Sequence, residues 1–136
     1  MERLIIAGLV VAVALVIAWL GQRRNSVAPV RTGQVVPEQV DRSDFDRPDS
    51  QWLVAVFTDA SCSTCAKAVD VASALESSAV AVQTIERSHA PALHQRYTIH
   101  SVPTTLVVDS QGVVRGSFLG PPRAADLWAA VADLRD

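Results

Sequence analysis

Two cysteines occur in the chain, and they stand three apart, as Cys62-Ser63-Thr64-Cys65. A pair at that spacing suits two chemistries, thiol–disulfide exchange and metal binding. Exchange needs a thiolate, and a cysteine at a helix start gains one cheaply because unpaired backbone N–H groups and the positive helix end stabilise the negative sulfur. Cys62 is then the attacking sulfur. Cys65, nearly one turn further on, resolves the mixed disulfide by attacking Cys62. A zinc site would need two more ligands at sensible spacing, and the only histidines, His89, His94 and His100, form no tight pair. A structural disulfide framework is excluded, since it requires cysteines spread along the chain.

The flanking elements fit a reactive pair. Trp52 to Thr58 is a nearly continuous apolar, β-forming run, as expected of a central strand buried on both faces. After Asp59-Ala60-Ser61 the pattern predicts a helix from Cys62 to Glu76, with Cys65, Ala68, Val69, Ala72 and Leu75 at helical spacing. The motif therefore sits at the carboxyl edge of a sheet, where the reactive sites of open α/β sheets collect. Further on, the pattern predicts a strand over 80–85 and a short helix from Pro91 to Tyr97. A strand over 104–108, a hairpin loop Asp109-Ser110-Gln111-Gly112 and a strand over 113–118 follow. Ala124 to Leu134 closes the chain as an amphipathic helix with Leu127, Trp128, Val131 and Leu134 on one face. Upstream, Val35-Val36 and Gln39-Val40 are candidates for a short edge strand, and Asp41 to Phe45 for a helical turn that points Phe45 inward. The order implies a mixed α/β sheet of four or five strands with helices on both faces.

Ser101-Val102-Pro103-Thr104 precedes the third strong strand. A proline there is either a simple edge proline, lacking a donor for the ladder, or a cis proline whose loop packs beside the cysteines. With these residues in hand, the chain from about Val35 to Leu134 resembles the thioredoxin superfamily. The resemblance rests on Phe57, Cys62, Cys65, Tyr97-Thr98-Ile99, Val102-Pro103-Thr104 and Gly112-Val113-Val114. It implies a thioredoxin-like fold and a cis Pro103 packed against the cysteines. It also implies that the Val102 backbone pairs with an extended substrate, and that Ser63 and Thr64 lie within the substrate-binding surface. There are departures. Ser61 stands where the family has tryptophan, and Ser63-Thr64 replaces Gly-Pro. Val56 and Val82 fall at the positions of the buried acid and its lysine partner, so no obvious group takes the proton from Cys65.

The first residues form a separate unit. Leu4 to Leu20 is unbroken by charge and is followed by Gly21-Gln22-Arg23-Arg24. As a helix it would extend about 25 Å at about 1.5 Å per residue, the short end of a bilayer span. Trp19 suits the lipid–water boundary, and no small-x-small cleavage site follows the run. The expectation is a transmembrane anchor over 1–22, a flexible linker over 23–34 and a thioredoxin-like domain over 35–136. That makes a single-pass protein of the cell membrane. Arg23, Arg24 and Arg31 outnumber Arg3 and favour a cytoplasmic domain, whereas the N-terminal position of the span suits an exported one, so the side stays open.

At 136 residues, one domain plus an appendage is what the length allows. A formal net charge of -2 argues against a nucleic-acid partner. The functional expectation is a membrane-tethered oxidoreductase that exchanges disulfides with protein partners, with no cofactor beyond the Cys62–Cys65 dithiol. The alternatives are a non-catalytic thioredoxin-like binding module and a thiol-based metal carrier. Asp59, near the motif, is expected as a solvated loop carboxylate, His100 as a surface histidine, and Trp128 as a packing residue.

Overall fold

The computed structural model describes residues 1–24 and 35–135. Helix α1 runs Glu2–Arg24, so Arg23 and Arg24, read from sequence as the start of a linker, are helical. The rest of that linker lies outside the described residues. Among the described residues no helix is long and apolar enough to cross a membrane. The expected single-pass anchor is thus not shown by the fold.

The domain is built on a four-stranded mixed sheet of order β2-β1-β3-β4. Its strands are β1 (Trp52–Thr58), β2 (Val80–Glu86), β3 (Thr104–Val108) and β4 (Val114–Leu119). β1 pairs in parallel with β2 and antiparallel with β3, and β3 pairs antiparallel with β4. The helices are α2 (Cys65–Ser73), α3 (Pro91–Arg96) and α4 (Ala124–Arg135).

Every residue of β1 is buried, and the two-residue period divides them between two cores. Leu53, Ala55 and Phe57 face a cluster with Phe45, Ile85, Tyr97, Ile99 and Leu106, flanked by Leu93 of α3. Trp52, Val54 and Val56 face the other cluster, with Ala68 and Ala72 of α2 and Leu127 and Val131 of α4. This is the two-faced helical cover the continuous apolar run implied.

Three expectations are corrected. The candidate edge strand at Val35-Val36 and Gln39-Val40 reduces to a single bridge, Gln39 to Val113, flanked by Val40 N–H to Gly112 O (2.8 Å) and Val114 N–H to Glu38 O (2.9 Å), which leaves the lower of the two expected strand counts. Pro37, just before it, has no N–H with which to extend a ladder. Helix α2 starts at Cys65 rather than Cys62 and ends at Ser73 rather than Glu76. At its end the Ser73 hydroxyl donates back to Val69 O (2.7 Å), a bond that competes with helix continuation, and Leu75 and Glu76 close tighter turns onto Ala72 and Ser73. On α4, Leu127 and Val131 are buried but Trp128 is 44% exposed. Its indole N–H donates to Val71 O at 3.0 Å, tying α4 to α2 rather than filling the core.

Candidate active site

The chain leaves β1 at Thr58 and enters a turn organised by Asp59. One carboxylate oxygen of Asp59 accepts from the Ser61 backbone N–H (3.0 Å) and hydroxyl (2.8 Å). The Asp59 carbonyl accepts from the Cys62 N–H at 3.0 Å. The other oxygen accepts from Arg87 Nε at 2.9 Å, and the Arg87 N–H donates to Thr58 O at 3.0 Å. The hydrogen bonds from Ser61, helped by Arg87 and partly opposed by burial, hold the Asp59 carboxyl below the usual carboxylate range. Asp59 is therefore the anchor of the cysteine loop, not the free loop carboxylate expected. The Asp59–Cys62 turn precedes the helix, whose regular pattern begins at Cys65.

Cys62 and Cys65 are joined in a disulfide with Cα atoms 5.5 Å apart. Cys62 is half-buried, whereas Cys65 is only 5% exposed. The asymmetry matches the order of events in exchange, in which the outer sulfur meets a partner and the inner one attacks it afterwards. Ser63 and Thr64 lie between them, both exposed. Thr64 precedes the first turn of α2 without a side-chain cap bond to it, and its hydroxyl lies 3.8 Å from Cys62 Sγ. A disulfide sulfur carries no proton, so the hydroxyl is the donor. The first-turn amides of an uncapped helix keep donor capacity at the end that follows Cys62.

The Val102–Pro103 peptide bond is cis. Thr104, the next residue, pairs with Phe57, so the proline loop reaches the same sheet edge from which the cysteine loop departs. Pro103 is buried and Val102 half-buried. Pro103 O accepts from the Gly120 N–H (2.8 Å), and the Thr104 hydroxyl donates to Ser101 O (2.8 Å). These bonds fix the loop from both sides.

Val56 is fully buried in the α2/α4 cluster, and Val82 packs against it. Their register partners are Thr84 and Val54 respectively. The acid and lysine whose absence the sequence indicated are thus replaced by packed methyl groups. Beside Val56, in register on β3, sits Thr105, 0% exposed, with its hydroxyl unpartnered among the described residues.

The remaining candidates lie elsewhere. His100 is exposed and lines a groove of about 220 Å³ with Val36, Ile99, Ser101, Thr104 and Leu119. His94 is buried on the other face, its Nε2 2.9 Å from Ile85 O and its ring edge-on to Phe57. Among the described residues no three His, Cys, Asp or Glu side chains gather as they would around a metal ion. Sequence reasoning missed Arg87 and Thr105. Asp59-x-Ser61 carries the signature of a side chain that caps its own turn, but nothing along the chain points to Arg87 or Thr105, which are brought in by strand pairing.

No protein-family model and no curated sequence matches the chain. Solved structures do match. A point-mutant thioredoxin from Halobacterium salinarum NRC-1 aligns at 22% identity and a TM-score of 0.55, covering 70% of this chain and 89% of that one. Mitochondrial thioredoxin 3 from Saccharomyces cerevisiae, in its oxidized form, aligns at 17% identity and 0.53, covering 63% and 81%. A structure described as a malarial protein aligns at 14% identity and 0.54, covering 61% and 96%. At such identities the likeness speaks for architecture alone, and the conclusion is architectural: this chain has a thioredoxin-like fold with a Cys62–Cys65 pair at its sheet edge.

Proposed function

We propose that the protein is a membrane-tethered thiol–disulfide oxidoreductase acting on protein partners. The observation that carries the reading is the asymmetric pair itself, a half-buried Cys62 and a buried Cys65 within disulfide distance, at the edge that also carries the cis Val102–Pro103 bond. In the reducing direction the Cys62 thiolate attacks a sulfur of the partner disulfide and expels one partner thiolate. The Cys65 thiolate then attacks Cys62 Sγ, releases the second partner thiolate and leaves Cys62–Cys65 oxidised. Val102 presents its backbone, and Pro103, Ser63 and Thr64 supply the surrounding surface on which an extended partner strand is held. The dithiol is the only redox group required. The uninterrupted apolar stretch Leu4–Leu20 supports anchoring in the cell membrane, with the arginines after it favouring a cytoplasmic domain.

The test is capture of the intermediate. Cys65→Ser in the full chain should accumulate mixed disulfides through Cys62, visible as slower-migrating species that reductant dissolves. Adding Cys62→Ser should abolish them. If the single variant forms no adduct and the wild type reduces no model disulfide, the catalytic reading fails; partner capture that survives replacement of both cysteines would instead establish a binding module.

A further inference from the structure

The turn that carries Cys62 also carries a charge of the wrong sign for it. Cysteine attacks as the thiolate, and a carboxylate close by disfavours that form. Asp59 stands in the same turn. Its carbonyl accepts from the Cys62 N–H at 3.0 Å, and one oxygen of its carboxylate accepts from the N–H and hydroxyl of Ser61, the residue before Cys62. Those donors satisfy the oxygen and bring no charge. They hold the carboxyl ionised beside the attacking cysteine.

One cation answers it. Thr58 and Glu86 are register partners in the parallel β1–β2 pair, so the residues that follow them, Asp59 and Arg87, leave the sheet side by side. The Arg87 N–H donates to Thr58 O at 3.0 Å, and its Nε donates to the second Asp59 oxygen at 2.9 Å. The Arg87 side chain is 37% exposed and that of Asp59 27%, and an ion pair so placed adds little to folding stability. What it changes is the field at the neighbouring sulfur. The other charges around the motif are engaged or stand apart. Glu86 accepts from Ser88 and lies 3.2 Å from His89 Nδ1. Lys67 and Asp70 of α2 are exposed, as is His100 of the proline loop. Arg123, just before α4, pairs with Asp126 at 3.1 Å. Among the described residues, Arg87 alone forms an ion pair with Asp59.

We infer that Arg87 is a positioning residue for Cys62: by pairing with Asp59 it neutralises the carboxylate of the cysteine turn and keeps the Cys62 thiolate populated at neutral pH. The inference rests on the oxidoreductase reading above, since only a reactive Cys62 needs that compensation.

The experiment is alkylation of the reduced full chain by iodoacetamide at a series of pH values, in which the Cys62 thiolate displaces iodide and forms a thioether. Cys65, only 5% exposed, is shielded from the reagent. Arg87→Met should raise the pH midpoint of alkylation by about half a unit and slow the reaction at neutral pH about threefold, the scale of one uncompensated charge near a protein surface. The plateau rate at high pH should stay unchanged, because access to the sulfur is unaltered. Arg87→Lys keeps the charge and should stay near wild type. Asp59→Asn added to Arg87→Met should return the midpoint to the wild-type value, since it removes the charge that Arg87 balances and leaves an amide oxygen for Ser61. A merely structural role predicts no such rescue, because the double variant still lacks the ion pair. Added salt should shrink the Arg87→Met shift. An unchanged midpoint in Arg87→Met, or a shift that Asp59→Asn fails to reverse, overturns the role of Arg87. Alkylation needs no partner disulfide, so a wild type that alkylates but reduces no model disulfide overturns the oxidoreductase reading separately.

Discussion

Gly112 offers a sharp test of how the N-terminal segment is fastened to the sheet. It has φ +85°, and a Cβ built there would lie 2.1 Å from the Val40 carbonyl oxygen and 2.9 Å from Gln39 Nε2. Gly120 provides the control, with φ +83° but nothing within 4 Å of its Cβ. An alanine at either site incurs the left-handed backbone penalty of about 1–2 kcal/mol. At Gly112 the obstacle is a backbone atom, so residues 38–40 must retreat. Retreat breaks the Val40 N–H to Gly112 O and Val114 N–H to Glu38 O bonds at about 0.5–1.5 kcal/mol each, and loosens Val40, which is only 3% exposed. Gly112→Ala should therefore cost about 2–5 kcal/mol and Gly120→Ala only about 1–2 kcal/mol. At about 4–8 °C per kcal/mol for a domain of this size, thermal unfolding of the two full-length variants by circular dichroism should separate them by several degrees at least. Equal losses would refute the close approach of the two chain segments, and with it the account of how a single bridge replaces a fifth strand.

Leu127→Ala should cost about 2–5 kcal/mol, since it opens a cavity at a fully buried position of α4. Trp128→Phe should cost only about 0.5–1.5 kcal/mol, because it removes one hydrogen bond to Val71; chemical denaturation would rank the two. The Asp109 carboxyl, although burial alone pushes it up, is held below its usual value by Arg115 and the backbone N–H groups of Val113 and Gln111. A carboxyl lowered in the folded state stabilises fully above its unfolded value, about pH 4. It loses that contribution as pH falls through the folded value. Asp109→Asn should thus lower stability at pH 7 and flatten the loss of stability between about pH 5 and pH 2, read from unfolding midpoints across that range. A membrane-impermeant thiol reagent applied to intact cells should fail to label reduced Cys62 and should label it after permeabilisation; labelling in intact cells would place the domain outside.

The cysteine spacing and the strand-like run before it located the candidate site, because a continuous apolar stretch of seven residues has nowhere to go but the middle of a sheet. Val102-Pro103-Thr104 marked the second loop for the same reason, a proline at the mouth of a strong strand. The alternation along β1 is equally local, and so is the absence of an acid and a lysine at Val56 and Val82. Helix ends were less legible. The segment from Asp59 to Thr64 is a separate turn, closed by bonds from the Ser61 and Cys62 N–H groups to Asp59, and it leaves no mark on apolar periodicity. Trp128 shows the limit of a helical face read from spacing, since a residue at the rim of the stripe is placed by what stands opposite, here Val71 of α2. Pairing decided the rest. Arg87 reaches Asp59 because β2 lies parallel to β1, and Thr105 comes to lie beside Val56 because β3 runs antiparallel on its other side. Sequence alone determines which residues can do chemistry and which segments must be buried, both being local properties. Which distant side chains stand beside the cysteines is set by strand order and register, and those are fixed only when the whole sheet closes its two cores.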